Sequence, residues 1–216
     1  MVVRRYLGDI AIAAAIAYAL YMLFSSFIAD PQDVSFLSHK VGIARHLNHP
    51  VWIAVLHIHI AAAVVAIVSG MLNWTLTGAK HRCGVHRMVG YLYVLSVLGV
   101  DGTSGYLAPF ATGGEISTVA FNTLNVYWLI VTVLAYVRIR RGDVAGHRAF
   151  MLRSYVFCDT NVLNRGFTYL GAHVVHLPYT TAYAIAVCVS IVVNVLVVEW
   201  WLFIQRRANR RLASRM

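Results

Sequence analysis

Charge is what this chain has least of. Of its 216 residues 12% are charged and 60% are hydrophobic, where a soluble domain carries about 25% charged and about 45–50% apolar residues. That leaves too little polar surface to cover a water-soluble globule, and it excludes a soluble enzyme, a disordered chain and a coiled coil. Acids are scarcer still, 8 against 18 Lys+Arg, for a net charge of +10. The basic residues fall between and after apolar runs, which is the pattern of membrane topology, so no nucleic-acid partner is expected. Cys83, Cys158 and Cys188 are an odd number without a CxxC pair, so neither a disulfide scaffold nor a zinc ribbon is indicated. The sequence has no HExxH, GxSxG, P-loop or GxGxxG. It also lacks an internal repeat and any low-complexity segment.

What is present is a series of apolar runs long enough to cross a bilayer, about 20 residues each. Six are expected: Ile10–Ala29, Val51–Asn73, Met88–Pro109, Thr118–Val137, Ala149–Leu170 and Pro178–Ile204. The expected fold is an all-α integral membrane bundle, one domain over residues 1–216. Arg4 and Arg5 precede the first run as in a signal peptide. Its apolar stretch exceeds the usual h-region, however, and Ser26 to Pro31 is a poor cleavage site, so an uncleaved helix is expected.

Basic residues gather at alternate connections: Arg4 and Arg5; Lys80, Arg82 and Arg87; Arg138, Arg140, Arg141 and Arg148; then Arg206, Arg207, Arg210, Arg211 and Arg215. The opposite loops hold only Lys40 and Arg45. The positive-inside rule then places both termini in the cytoplasm. Trp52, Trp74, Trp200 and Trp201 lie near span ends as interfacial anchors. The bilayer and its anionic headgroups are the expected partners, together with other membrane subunits or a second copy of the chain.

Ten histidines stand out in so apolar a chain. In the second run His57 and His59 face opposite ways. His59 shares a face with Ala62, Ala63, Ala66, Gly70 and Asn73, a small-residue strip suited to close packing, whereas His57 shares one with Val64 and Val68 and reads as lipid-facing. In the third run His86, Gly90, Tyr93, Val97, Asp101 and Ser104 share a face. Asp101 is an intramembrane carboxylate, either a functional site or a group bonded within a glycine-rich helix. In the fifth run His147, Met151, Ser154, Cys158, Asn161, Arg165, Tyr169 and His176 form one polar stripe, flanked by Asp159 and Asn164. Arg165 needs a partner at that depth, Asp101 or Asp159. His59, Asp101, Asn122, Asn125, Asn161, Asn164 and Arg165 therefore form an expected polar core. At the inner edge His81, His86 and His147 lie beside Arg82, Arg87, Arg148 and Arg153. They point to headgroup contact, to a haem or metal on His86 and His147, or to an anionic quinone-like or phosphate-bearing ligand. No same-helix histidine pair has the 13–14-residue spacing of a two-haem bundle, so one haem b or one transition metal is the cofactor considered.

Two stretches carry a resemblance. His86-Arg87-Met88-Val89-Gly90-Tyr91-Leu92-Tyr93 is one, and Arg141-Gly142-Asp143 followed by His147-Arg148-Ala149-Phe150-Met151-Leu152-Arg153-Ser154-Tyr155 is the other. With His59 and the Gly113-Gly114…Phe121 segment, the chain from Val51 to the end of the sixth run resembles the bacterial multipass membrane family named domain of unknown function 2306. The resemblance implies a bacterial inner-membrane protein of several helices and assigns no substrate. A more distant likeness to b-type cytochrome bundles implies His59, His86 and His147 as ligands; in a redox reading Arg87 and Arg148 would neutralise an anionic group. Three functions follow as expectations: a redox protein holding haem or a metal, a proton-coupled transporter using Asp101, Asp159 and Arg165, and a non-catalytic subunit of a membrane complex.

Overall fold

The computed structural model describes residues 16–31, 48–76 and 83–213, and all regular structure among them is helical. The helices are α1 (Ile16–Ala29), α2 (His49–Leu76), α3 (Cys83–Leu107), α4 (Gly114–Arg140), α5 (Val144–Tyr155), α6 (Thr160–His173) and α7 (Tyr179–Ala213). Three of them, over His49–Thr75, Gly114–Arg140 and Tyr179–Ala208, are long and apolar enough to cross a bilayer. The chain divides into two compact units, Met1–Phe110 and Ala111–Met216.

Large apolar side chains lie on the outside of both units. On α7 the exposed positions include Ile185, Val189, Val192, Leu196, Trp200 and Phe203; on α4 they include Ile116, Val119, Val126, Ile130 and Val133. These stripes follow helical pitch and face outward, the reverse of a water-soluble bundle. Helix α3 carries one as well, in Met88, Leu92, Leu95 and Leu98, although Arg87, Asp101 and its glycines lower its hydropathy. Its 25 residues rise about 37 Å, enough for a hydrocarbon core of about 30 Å. Trp74, Trp200 and Trp201 are exposed, as interfacial anchors should be. Trp52 is not one of them: it is 1% exposed and belongs to the interior.

In the first unit α2 and α3 form an antiparallel hairpin packed through small residues. A Cβ on Gly99 would touch Ala62 Cβ at 3.4 Å, and Ala66, Ser69, Gly70 and Asn73 are buried, so the strip read from the sequence is the packing face. α1 closes in a π-turn, Ser25–Ala29.

In the second unit α5 packs on α4 and α6 packs on α7. The expected single fifth span is two helices, joined by a 3-10 turn at Val156–Asp159. That turn breaks the polar stripe. Ten steps from residue 154 at 100° leave residue 164 about 80° out of line, and four steps at the 3-10 angle of about 120° restore roughly that amount. Ser154 and Asn164 are accordingly both buried, with Thr160 and Thr168 one turn to either side of Asn164. Asn161, Arg165 and Tyr169, expected on the stripe, are exposed, and His176 lies in the following loop with φ 60°.

Candidate functional site

The first unit positions His59 and Asp101. His59 Nδ1 lies 2.9 Å from Thr103 Oγ1. The Thr103 hydroxyl has one proton, and its own helix takes it: Oγ1 donates to Gly99 O at 2.7 Å, with Val100 O at 2.9 Å. His59 must therefore donate from Nδ1–H, and its Nε2 is the basic nitrogen. Asp101 lies two residues before Thr103 on α3, at the same level of the hairpin. Both of its carboxylate oxygens are buried and have no hydrogen-bond partner among the described residues. A carboxylate left bare in such surroundings is costly, so the group either carries a proton or awaits a cation.

His57 does not face lipid. Its Nε2–H donates to Ser26 O at 3.0 Å, and its ring stacks on Phe27 at 4.6 Å. The opposite face of α2 thus holds α1, an arrangement that a helical wheel of α2 alone cannot reveal.

At the other end of the hairpin Asn73 meets His86. With its amide turned so that both ends are satisfied, Asn73 Nδ2 donates to His86 O at 2.9 Å and to His86 Nδ1 at 3.2 Å, while its oxygen accepts from Gly90 N at 3.0 Å. The Asn73 amide bridges one turn of the α3 ladder. A Cβ at Gly90 would meet the Asn73 amide at 3.5 Å, an ordinary contact. The motif beginning at His86 is therefore in part a helix-packing motif. The Asn73 contact makes His86 Nδ1 an acceptor, which leaves the proton of the neutral ring on Nε2. His59 and His86 sit at opposite ends of the hairpin, because Thr103, the partner of His59, lies 17 residues beyond His86, about 25 Å of rise. One iron can take at most one of them.

In the second unit α4 and α5 are joined through hydroxyls. Trp128 Nε1 donates to Ser154 Oγ at 3.1 Å, Thr132 Oγ1 donates to Trp128 O at 2.7 Å, and the two hydroxyls are 2.7 Å apart. With the Thr132 proton already spent, Ser154 donates to Thr132, and every group in this buried set is satisfied. Neither Trp128 nor Thr132 stood out in the sequence, since both read as ordinary span residues. Nearer the loop, His147 Nδ1–H donates to Ala135 O at 2.9 Å, again leaving Nε2 free. The Arg141-Gly142-Asp143 stretch is the connection itself. Gly142 turns with φ 78°. Asp143 caps α5 by accepting from Gly146 N at 2.8 Å, and it pairs with Arg138 at 3.0 Å. The Gly146 N–H first, then Arg138, holds the Asp143 carboxyl below its ordinary value.

Farther along, Asn194 Nδ2 donates to Thr160 Oγ1 at 2.9 Å, fastening α7 to α6. Arg153 grips Glu199 on α7 with two hydrogen bonds, Nη2 to Oε2 at 2.9 Å and Nε to Oε1. The sequence placed Arg153 among headgroup-contacting arginines; its partner, 46 residues away, leaves no local signal. The expected Arg165–Asp159 pair does not form: the ion pairs among the described residues are Arg138–Asp143 and Arg153–Glu199, and both Asp159 and Arg165 are exposed. Asn122 is exposed and Asn125 half-buried, with its Nδ2 unpartnered among the described residues. Arg87 and Arg148 are exposed. His81 and Arg82 lie outside the described residues. Thus His59 and Asp101 belong to the first unit, and Asn122, Asn125, Asp159, Asn161, Asn164 and Arg165 to the second.

Among the described residues no group of three or more His, Cys, Asp or Glu is arranged to hold a metal ion. Neither the curated proteins nor the solved structures contain a match to this chain. Residues 56–202, more than half of the chain, match the family described as predicted membrane protein, domain of unknown function 2306. The chain belongs to that family.

Proposed function

We propose that this member of the family is a six-span protein of the bacterial inner membrane, with both termini in the cytoplasm, and that Asp101 is an exchangeable proton site in proton-coupled transport. The observation that carries the reading is the Asp101 carboxyl, both oxygens buried and unpartnered among the described residues, within a helix whose other side is an apolar stripe. A purely structural aspartate would be expected to bond its own helix or a neighbour. His59 lies at the same level of the hairpin, with its tautomer set by Thr103.

The test uses proteoliposomes loaded with a pH-sensitive dye and challenged with a panel of small charged solutes. Wild type should couple uptake of at least one solute to a change in internal pH. Asp101→Asn should lose that change, and Asp101→Glu should keep part of it. An unaltered pH change in Asp101→Asn would contradict the reading.

A second reading, a haem b or a transition metal, is favoured by one feature. His59 and His147 each anchor Nδ1–H on an oxygen and present a free Nε2, which is how ligating histidines are commonly oriented. His86 is the poorer ligand, because its Nδ1 is an acceptor. A reducible b-type spectrum, or stoichiometric metal in purified protein, would decide for this reading; a colourless, metal-free sample made with ample haem precursor and trace metals would decide against it.

A further inference from the structure

At the end of the second unit where α4 and α7 finish, the arginines are of two kinds. Arg138 and Arg153 are neutralised by Asp143 and Glu199. Arg140, Arg141, Arg148, Arg206 and Arg207 are exposed, and none has a carboxylate at ion-pair distance among the described residues. The fold brings the helix ends that carry them to one side. The tight turn at Gly142 keeps the end of α4 beside the start of α5. α5 and α7 run antiparallel, with Arg153 opposite Glu199. From that pair Arg206 lies seven residues on along α7, about 10.5 Å farther and on the same face as Glu199, with Arg207 next to it; Arg148, five residues back on α5, is turned about 140° away from Arg153 and lies on the other flank of that helix.

Beside these charges α7 is apolar and bare. Trp200 is 65% exposed and Phe203 49%. The Arg207 guanidinium stands 4.3 Å above the Phe203 ring. A topological signal requires only positive charge. Charge stacked directly on an exposed aromatic turn also suits a ligand that is anionic at one end and apolar at the other. Guanidinium groups are matched to phosphate oxygens, and the exposed rings are matched to acyl chains.

We infer that this surface binds an anionic phospholipid, with the headgroup phosphate on Arg206 and Arg207 and the chains along Trp200 and Phe203. The inference rests on the second unit alone and is independent of Asp101.

The test uses the purified full chain in neutral detergent. Binding of phosphatidylglycerol, phosphatidylcholine and inorganic phosphate is followed by native mass spectrometry and by the thermal midpoint. Phosphatidylglycerol should be retained about tenfold more tightly than phosphatidylcholine, and less tightly as salt rises. Combined Arg206→Gln and Arg207→Gln should abolish the preference, and the same two changed to Lys should keep most of it. Equal retention of the two lipids, displacement by inorganic phosphate alone, or an unchanged preference in the glutamine variant would overturn the proposal. If the glutamine variant does not fold, the salt dependence in wild type decides: retention insensitive to salt would also overturn it.

Discussion

At the scale of single residues, hydroxyl protons decide how His59 and Trp128 are held. Thr103 and Thr132 each spend their proton on their own helix, which makes their oxygens acceptors for His59 and Ser154. Removing Ser154 leaves the Trp128 N–H unpaired in the interior. Ser154→Ala should therefore destabilise the protein by about 1 kcal/mol, read as a lower midpoint in detergent unfolding with a change in tryptophan emission. Asp143 behaves differently because it lies in the exposed loop. Its carboxyl is held low in the folded state, so its contribution is complete above the unfolded carboxylate value, about 3.9, and is lost as pH falls through the lower folded value. Asp143→Ala should lower the thermal midpoint at pH 7, and its difference from wild type should shrink once the pH drops below about 4. A difference that persists unchanged in acid would refute that role. His59 was legible in the sequence because its small-residue strip is local to one helix. The bonding of His57 to Ser26 and of Arg153 to Glu199 was not, since each depends on another helix.

At the scale of elements, helical pitch was a good guide wherever the helix is regular. On α3 the face running from Gly90 through Tyr93 and Val97 to Asp101 turns away from the exposed Met88, Leu92, Leu95 and Leu98, as the spacing required. Pitch misled in the fifth run because four residues of 3-10 helix shift the phase, and no proline or glycine lies at Val156–Asp159 to announce the turn. The start of α4 offers a test of backbone conformation. Gly113 has φ 91°, and a Cβ there would stand 2.5 Å from Ser117 Oγ and 3.0 Å from Ala184 Cβ; Gly114 has φ 69° with open space around it. Gly114→Ala should cost only the left-handed backbone term, about 1–2 kcal/mol. Gly113→Ala should cost clearly more, because α4 must also move away from α7. Equal losses in the two variants would show that the contact with Ala184 is not tight.

At the scale of the whole molecule, composition was the most informative property. Scarce charge and long apolar runs gave the helical membrane class, which the outward-facing stripes and the family match bear out. The proposed orientation, argued from charge asymmetry, can be checked by labelling. In a chain whose native cysteines are replaced, Arg141→Cys should react with an impermeant thiol reagent only from the cytoplasmic side, and Val174→Cys only from the opposite side. Reaction of both from one side would contradict six spans. The central claim, that Asp101 is an exchangeable proton site, is tested most directly by infrared difference spectra of purified protein taken across a pH series. A protonated-carboxyl stretch that appears and disappears reversibly with pH, and that is missing in Asp101→Asn, is the predicted result. A spectrum in which Asp101→Asn removes no titrating carboxyl band would contradict it.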